Sequence, residues 1–144
     1  LFTDPTAQST PERLANRLSR LTKDGKLPST VRIGGVIGAS WHFPELDITA
    51  APRLDVSAEA DPARIASILD AGFAPKTKPE QRTALAVHVT RDPWVMKEFS
   101  DELNGQWANE LECLADLIEM GFTREATEMA HRMEKTNKRG RQTA

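Results

Sequence analysis

An α+β domain is the expectation for this 144-residue chain: a small, mainly antiparallel sheet covered by two helices and followed by a long C-terminal α-hairpin. Three observations predict it. Helical apolar spacing near the N-terminus gives way after Leu27-Pro28 to short β-branched runs. Two stretches, LDVSAEADP and LAVHVTRDP, repeat Leu-x-Val and then Asp-Pro at the same offset, thirty-one positions apart. Beyond Met96 the pattern is helical almost throughout.

Taken in order, residues 1–9 are expected to be a flexible segment, 10–136 a single domain and 137–144 a basic tail. Thr10-Pro11-Glu12 starts a helix, because the Thr hydroxyl can accept an orphan amide and Pro at the first helical position loses no bond. Leu14, Leu18 and Leu21 carry the helix until Asp24-Gly25 stops it near residue 23. In VRIGGVIGASW, Gly34-Gly35 reads as the two-residue turn of a hairpin needing positive φ; Gly38 has no evident role. ELDITAAP and RLDVSAE alternate Leu46/Ile48 and Leu54/Val56 against Asp47 and Asp55, which predicts a meander with one solvated face. Asp61-Pro62 and Asp92-Pro93 each pair a capping carboxylate with a helix-initiating proline, so the repeated phrase is a repeated strand-to-helix junction. The first helix should cover about 62–71. TALAVHVT is the next strand, and a parallel βαβ crossover from 54–59 to 83–90 is an alternative to antiparallel pairing.

The helix ends also echo one another. In ILDAGF and LIEMGF, Gly72 and Gly121 suit the left-handed position after a helix, with Phe73 and Phe122 folding back on Ile68 and Leu117. From Met96 an apolar line through Phe99, Leu103, Trp107, Leu111, Leu114 and Ile118 predicts one long helix, roughly 40 Å at about 1.5 Å per residue. Thr123 then caps a last helix running to about Lys135.

Composition narrows the function. Cys113 is the lone cysteine, which excludes an intramolecular disulfide and a multi-thiolate zinc site. No apolar run approaches a bilayer span and LFTDPTAQSTPER has no hydrophobic signal core, so the expectation is a soluble, cytoplasmic chain without a membrane partner. Net charge is only −2, yet charge is segregated: residues 12–32 carry six Lys/Arg against two acids, and 98–128 carry nine acids against Arg124.

Several constellations bear on chemistry. His88 shares a strand with Leu85, Val87 and Val89 but points the other way, and Asp55, Ser57 and Glu59 lie on the polar face of the preceding strand. If these strands are neighbours, a cluster of His88 with Asp55 and Glu59 could hold a metal or act as general base, with His42 as a further member. Cys113 among Glu110, Glu112 and Asp116 is a poor nucleophile. GGVIGAS lacks both G-x-G-x-x-G and a trailing G-K-[ST], so it is not read as a phosphate loop. Asp61 and Asp92 stand where open α/β sheets bind ligands, but a capping carboxylate would repel a phosphate.

LADLIEMGFTREATEMAHRM (114–133) resembles the first two helices and Met-Gly-Phe loop of ubiquitin-associated domains. The resemblance spans about twenty residues, and EKTNKRGRQTA supplies no counterpart of the third helix.

The leading expectation is a non-catalytic adaptor that recognises a protein partner through the C-terminal α-hairpin, using Trp94, Glu110 and Asp116, with no cofactor and no resident metal. Trp41 and Trp94 sit at element ends, where a large ring can anchor a partner. The first alternative is a nucleic-acid-associated accessory protein contacting phosphates through Arg13, Arg17, Arg20, Lys23 and Lys26 and through Lys138, Arg139 and Arg141 of the tail. The second is a metal-dependent hydrolase built on His88, Asp55 and Glu59. An apolar helix face left over could also form a homo-oligomer.

Overall fold

A computed structural model describes residues 1–4, 10–28, 30–48, 50–89 and 107–143, with side chains to residue 136. The architecture is α+β. In chain order the elements are β1 (Phe2–Thr3), α1 (Pro11–Lys23), β2 (Arg32–Ile33), α2 (Gly35–His42), β3 (Leu54–Ala58), α3 (Pro62–Leu69), β4 (Ala74–Pro75), β5 (Leu85–Val89), α4 (Glu110–Glu119) and α5 (Thr123–Thr143). The sheet has the order β2-β3-β5-β1-β4, antiparallel except for the central β3–β5 pair.

That central pair is parallel, with Leu54 opposite Leu85 and Ser57 opposite His88, so the crossover through α3 is the arrangement the chain adopts. Strand alternation divides the sheet's two faces. Leu54, Val56, Ala58 and Leu85 join Leu14, Leu18, Ile65 and Leu69 in one core, which α1 and α3 close. Val36, Ala39, Cys113, Leu117 and Met129 form a second core among α2, α4 and α5.

Local signals explain several boundaries. Thr10 Oγ1 accepts from the Arg13 amide, and Gly25 (φ +73°) closes α1. α4 stops as expected: Gly121 has φ +86°, its amide bonds Ile118 O, and Phe122 N–H reaches Leu117 O at 2.9 Å, the double bond of a Schellman motif.

Other expectations are corrected. Within the stretch 1–9, Phe2 and Thr3 form β1 between β5 and β4, with Ala84 N–H donating to Phe2 O and Phe2 buried, and residues 5–9 lie outside the described residues. Leu46 and Ile48 form no strand. Gly34-Gly35 makes no hairpin: Gly34 precedes α2, and the chain turns from strand directly into helix. Gly38 now has a reason, since a Cβ there would lie 2.7 Å from Cys113 Sγ and 2.9 Å from Ile33 O, so only glycine lets α2 approach this closely. Asp61 does not cap α3. It is itself left-handed (φ +57°) and its carboxylate bonds no helix amide. Gly72 is not left-handed either; Asp70 ends α3 by accepting the Gly72 amide at 2.8 Å. Asp92, and the proposed helix from 93 through 106, lie outside the described residues. A continuous helix through 107–109 is ruled out, because Trp107 bridges Ile33, Ala108 N–H bonds Ile33 O, and Asn109 caps α4 through the Glu112 amide. At the other end, residues 137–143 continue α5 as helix; Lys138, Arg139 and Arg141 belong to its last turns, and their side chains lie outside the described ones.

Candidate metal centre

The face of β3 that turns away from the first core carries Asp55 and Ser57, and the matching face of β5 carries Ala86 and His88. Hydrophobic alternation places them there. Burying Leu54, Val56 and Leu85 on one side forces the odd-numbered β3 residues and even-numbered β5 residues to the other. Because Ser57 is paired with His88, Asp55 is the diagonal neighbour of His88, and Asp55 Oδ1 lies 2.8 Å from His88 Nε2.

A third group arrives from α4. Asp116 shares the inward face of that helix with Cys113 and Leu117 and is 8% exposed. Its Oδ1 lies 3.4 Å from His88 Nε2, while its Oδ2 accepts the Gly35 amide at 2.8 Å. Gly35, with φ +60°, opens α2. The helix N-terminus therefore meets a carboxylate from the chain itself, a favourable placement because the first-turn amides and the helix dipole attract negative charge. The glycine pair does present an amide to an anion, and that anion is Asp116.

Around this trio, Arg53 Nε donates to Asp55 Oδ1 at 3.1 Å, and Arg53 Nη2 pairs ionically with Asp55 Oδ1 at 3.0 Å and with Glu119 at 3.5 Å; Glu119 lies 3.9 Å from His88 Nδ1. The electrostatics are unbalanced. The Asp55 hydrogen bond holds the His88 imidazolium above its ordinary range, outweighing desolvation, with Asp116, Asp55 and Glu119 adding attraction. Burial pushes the Asp116 carboxyl up to about 6 even though His88 works against it, and Asp55 adds repulsion. Glu112 is raised by burial as well. Carboxylates thus outnumber cations, and His88 and Asp116 each retain a proton more strongly than they would in water.

Asp55, His88 and Asp116 each offer one donor atom, and the three donors lie within 4.8 Å of one another. Two donors bound about 2.1 Å from one divalent ion stand roughly 3.0–3.4 Å apart at octahedral or tetrahedral angles. The separations from His88 Nε2, 2.8 and 3.4 Å, fit this with sub-ångström adjustment. Two carboxylates and one imidazole suit Mn²⁺, Fe²⁺, Zn²⁺ or Mg²⁺ rather than a soft ion.

The other candidates fall elsewhere. Glu59 is exposed and lines a separate cavity of about 210 Å³ with Lys26, Asp61 and Arg64. His42 donates from Nε2 to Ala108 O at 2.7 Å and faces Glu110 at 4.0 Å, away from the trio. Asp116 is turned inward, so it is no outer contact for a partner; Glu110 is half-buried in the first turn of α4. Trp94 lies outside the described residues, and Trp41 stacks on Trp107 with ring centroids 5.1 Å apart. Cys113 is fully buried, its thiol pushed well above the usual range by burial and then by Asp116 and Glu112, so it is not a nucleophile. Arg13, Arg17, Arg20, Lys23 and Lys26 are exposed along and just beyond α1. Sequence reasoning missed Asp116 as a donor, and with it Arg53 and Gly35. The available signal was the spacing Cys113, Asp116, Leu117, a second possible inward face of α4.

No family model, curated protein or solved structure matches the chain.

Proposed function

We propose that this protein is a divalent-metal-dependent hydrolase whose ion is held by Asp55, His88 and Asp116. The observation that carries the reading is the convergence of an oxygen, a nitrogen and an oxygen donor from β3, β5 and α4 at ligand-like separations, among more carboxylates than cations. It moves ahead of the adaptor reading because two of its residues stand out on sequence grounds and the fold adds a third. When bound, such an ion acidifies a coordinated water and polarises a substrate oxygen. The protein's own groups have definite parts. The Gly35 amide fixes Asp116 Oδ2 and leaves Oδ1 toward His88, and Arg53 holds Asp55 in place. Glu119, half-exposed beside His88 Nδ1, is the group best placed to orient the imidazole or exchange its proton with solvent.

Adding MnCl₂ or ZnCl₂ to chelator-treated protein is expected to raise the melting temperature in a saturable way, and to restore hydrolysis of chromogenic ester or phosphoester probes. His88→Ala should lose both effects. Identical melting curves with and without every divalent ion tested would reject the metal centre.

A second reading, the adaptor, is supported by one observation. Leu111 and Ile118 are 54% and 61% exposed on α4, seven residues apart and so on one side of the helix. Binding to a protein partner through this side should be weakened by Leu111→Glu and by Glu110→Lys in a pull-down. Retention of every partner by both variants would reject it.

A further inference from the structure

We propose that the outer face of α1 is a docking surface for the phosphate backbone of nucleic acid. Arg13, Arg17 and Arg20 recur at i, i+4 and i+7, which puts them on one side of the helix with axial steps of about 6 and 4.5 Å. All three are exposed, and their guanidinium groups have no hydrogen-bond or ion-pair partner among the described residues. Lys23 continues the basic character, and Lys26 lines the cavity that Arg64 of α3, Glu59 and Asp61 also line. Glu12 and Asp24 mark the two ends of α1 and leave its middle cationic.

The helix beneath is rigidly seated. Leu14, Ala15 and Leu18 are buried in the first core, and Ser19 and Thr22 hydroxyls donate back to Ala15 and Leu18 carbonyls. A row of guanidinium groups on a fixed rod is complementary to a row of phosphates, because arginine binds phosphate oxygens through a planar fork and stays charged at any working pH. The partner is a nucleic acid rather than an anionic membrane surface. An interfacial helix needs large apolar side chains exposed beside its cations, and the exposed large hydrophobics among the described residues, Leu1, Trp41, Val89, Leu111 and Ile118, are all off α1. Contact through phosphates alone carries no base reading, so recognition is independent of sequence. The surface lies across the sheet from Asp55 and His88 and stands whether or not those residues hold a metal.

The test is fluorescence anisotropy of the full chain with a short mixed-sequence DNA duplex and an RNA single strand, titrated from about 50 to about 200 mM KCl. The expected result is binding that weakens steeply with salt, with a log–log slope of about −3 on duplex DNA for three neutralised phosphates. The Arg13→Gln, Arg17→Gln, Arg20→Gln triple variant should keep its melting temperature, lose on the order of a hundredfold or more in affinity near 0.1 M salt, and show a slope close to zero. No binding to either probe at the lowest salt would overturn the proposal. So would unchanged affinity and slope in the triple variant, or equally strong binding to phosphatidylserine vesicles that the same variant abolishes.

Discussion

Asp116→Asn should make the chelator-treated protein more stable above pH 6, not less. The Asp116 carboxyl is held at about 6 by burial in the fold, against about 3.9 in an unfolded chain. A raised folded value means that the folded state binds this proton more tightly. The stabilisation is complete below about pH 4 and is lost as pH rises through 6. The gap between the folded and unfolded values is worth about 3 kcal/mol, an upper figure because removing the charge also weakens the hold on the His88 proton. His88, also raised, loses its contribution in the same direction, above its ordinary range. Urea titrations of wild type should therefore give a stability that declines from pH 4 to 8, and asparagine should remove the lower part of that decline. It keeps an oxygen for the Gly35 amide. A variant less stable than wild type at pH 8 would mean that the carboxylate is already well compensated by His88, and the case for a bound cation would weaken. With saturating Mn²⁺ the order should reverse, because only wild type retains all three donors.

Gly35→Ala should lower stability by about 3 kcal/mol. A left-handed backbone costs a non-glycine residue about 1–2 kcal/mol, and the new Cβ would fall 2.7 Å from Asp55 Cβ and 2.8 Å from its Cγ, where overpacking adds about 1–3 kcal/mol. Gly25→Ala provides the reference. Its φ of +73° carries the same backbone cost, but no heavy atom lies within 4 Å of the added methyl. The urea midpoints should fall for both variants and about twice as far for Gly35→Ala, which alone should also lose the metal-dependent rise in melting temperature. Equal losses at the two positions would mean that Asp55 moves aside freely and that the site is less tightly built than its contacts imply.

The parts of this fold legible in sequence are those governed by alternation and by caps. Leu54/Val56 and Leu85/Val87 fix which way Asp55 and His88 face, and the Asp-Pro junction after β3 announces a helix, while the parallel return of β5 beside β3 was only an alternative in the sequence. The third donor was not legible because α4 has two plausible inward faces. Leu111, Leu114 and Ile118 define the more apolar one, yet the fold buries Cys113, Asp116 and Leu117. Tertiary contact with α2 decides the phase, at a helix terminus whose free amide accommodates a charge that burial alone would reject. Gly34-Gly35 misled for a related reason: positive φ is a requirement of both a hairpin and this strand-to-helix turn, and only the close approach of Asp55 tells them apart.

The three donor positions, 55, 88 and 116, are separated by 33 and 28 residues and meet only where β3, β5 and α4 are assembled together. Any excursion that lifts α4 from the sheet dissolves the cluster, so a bound ion would act as a clasp between the two cores. Occupancy should then suppress hydrogen exchange in α4 and β5 alike, and a protease nick that releases the last two helices should abolish retention of the ion in one step rather than by degrees.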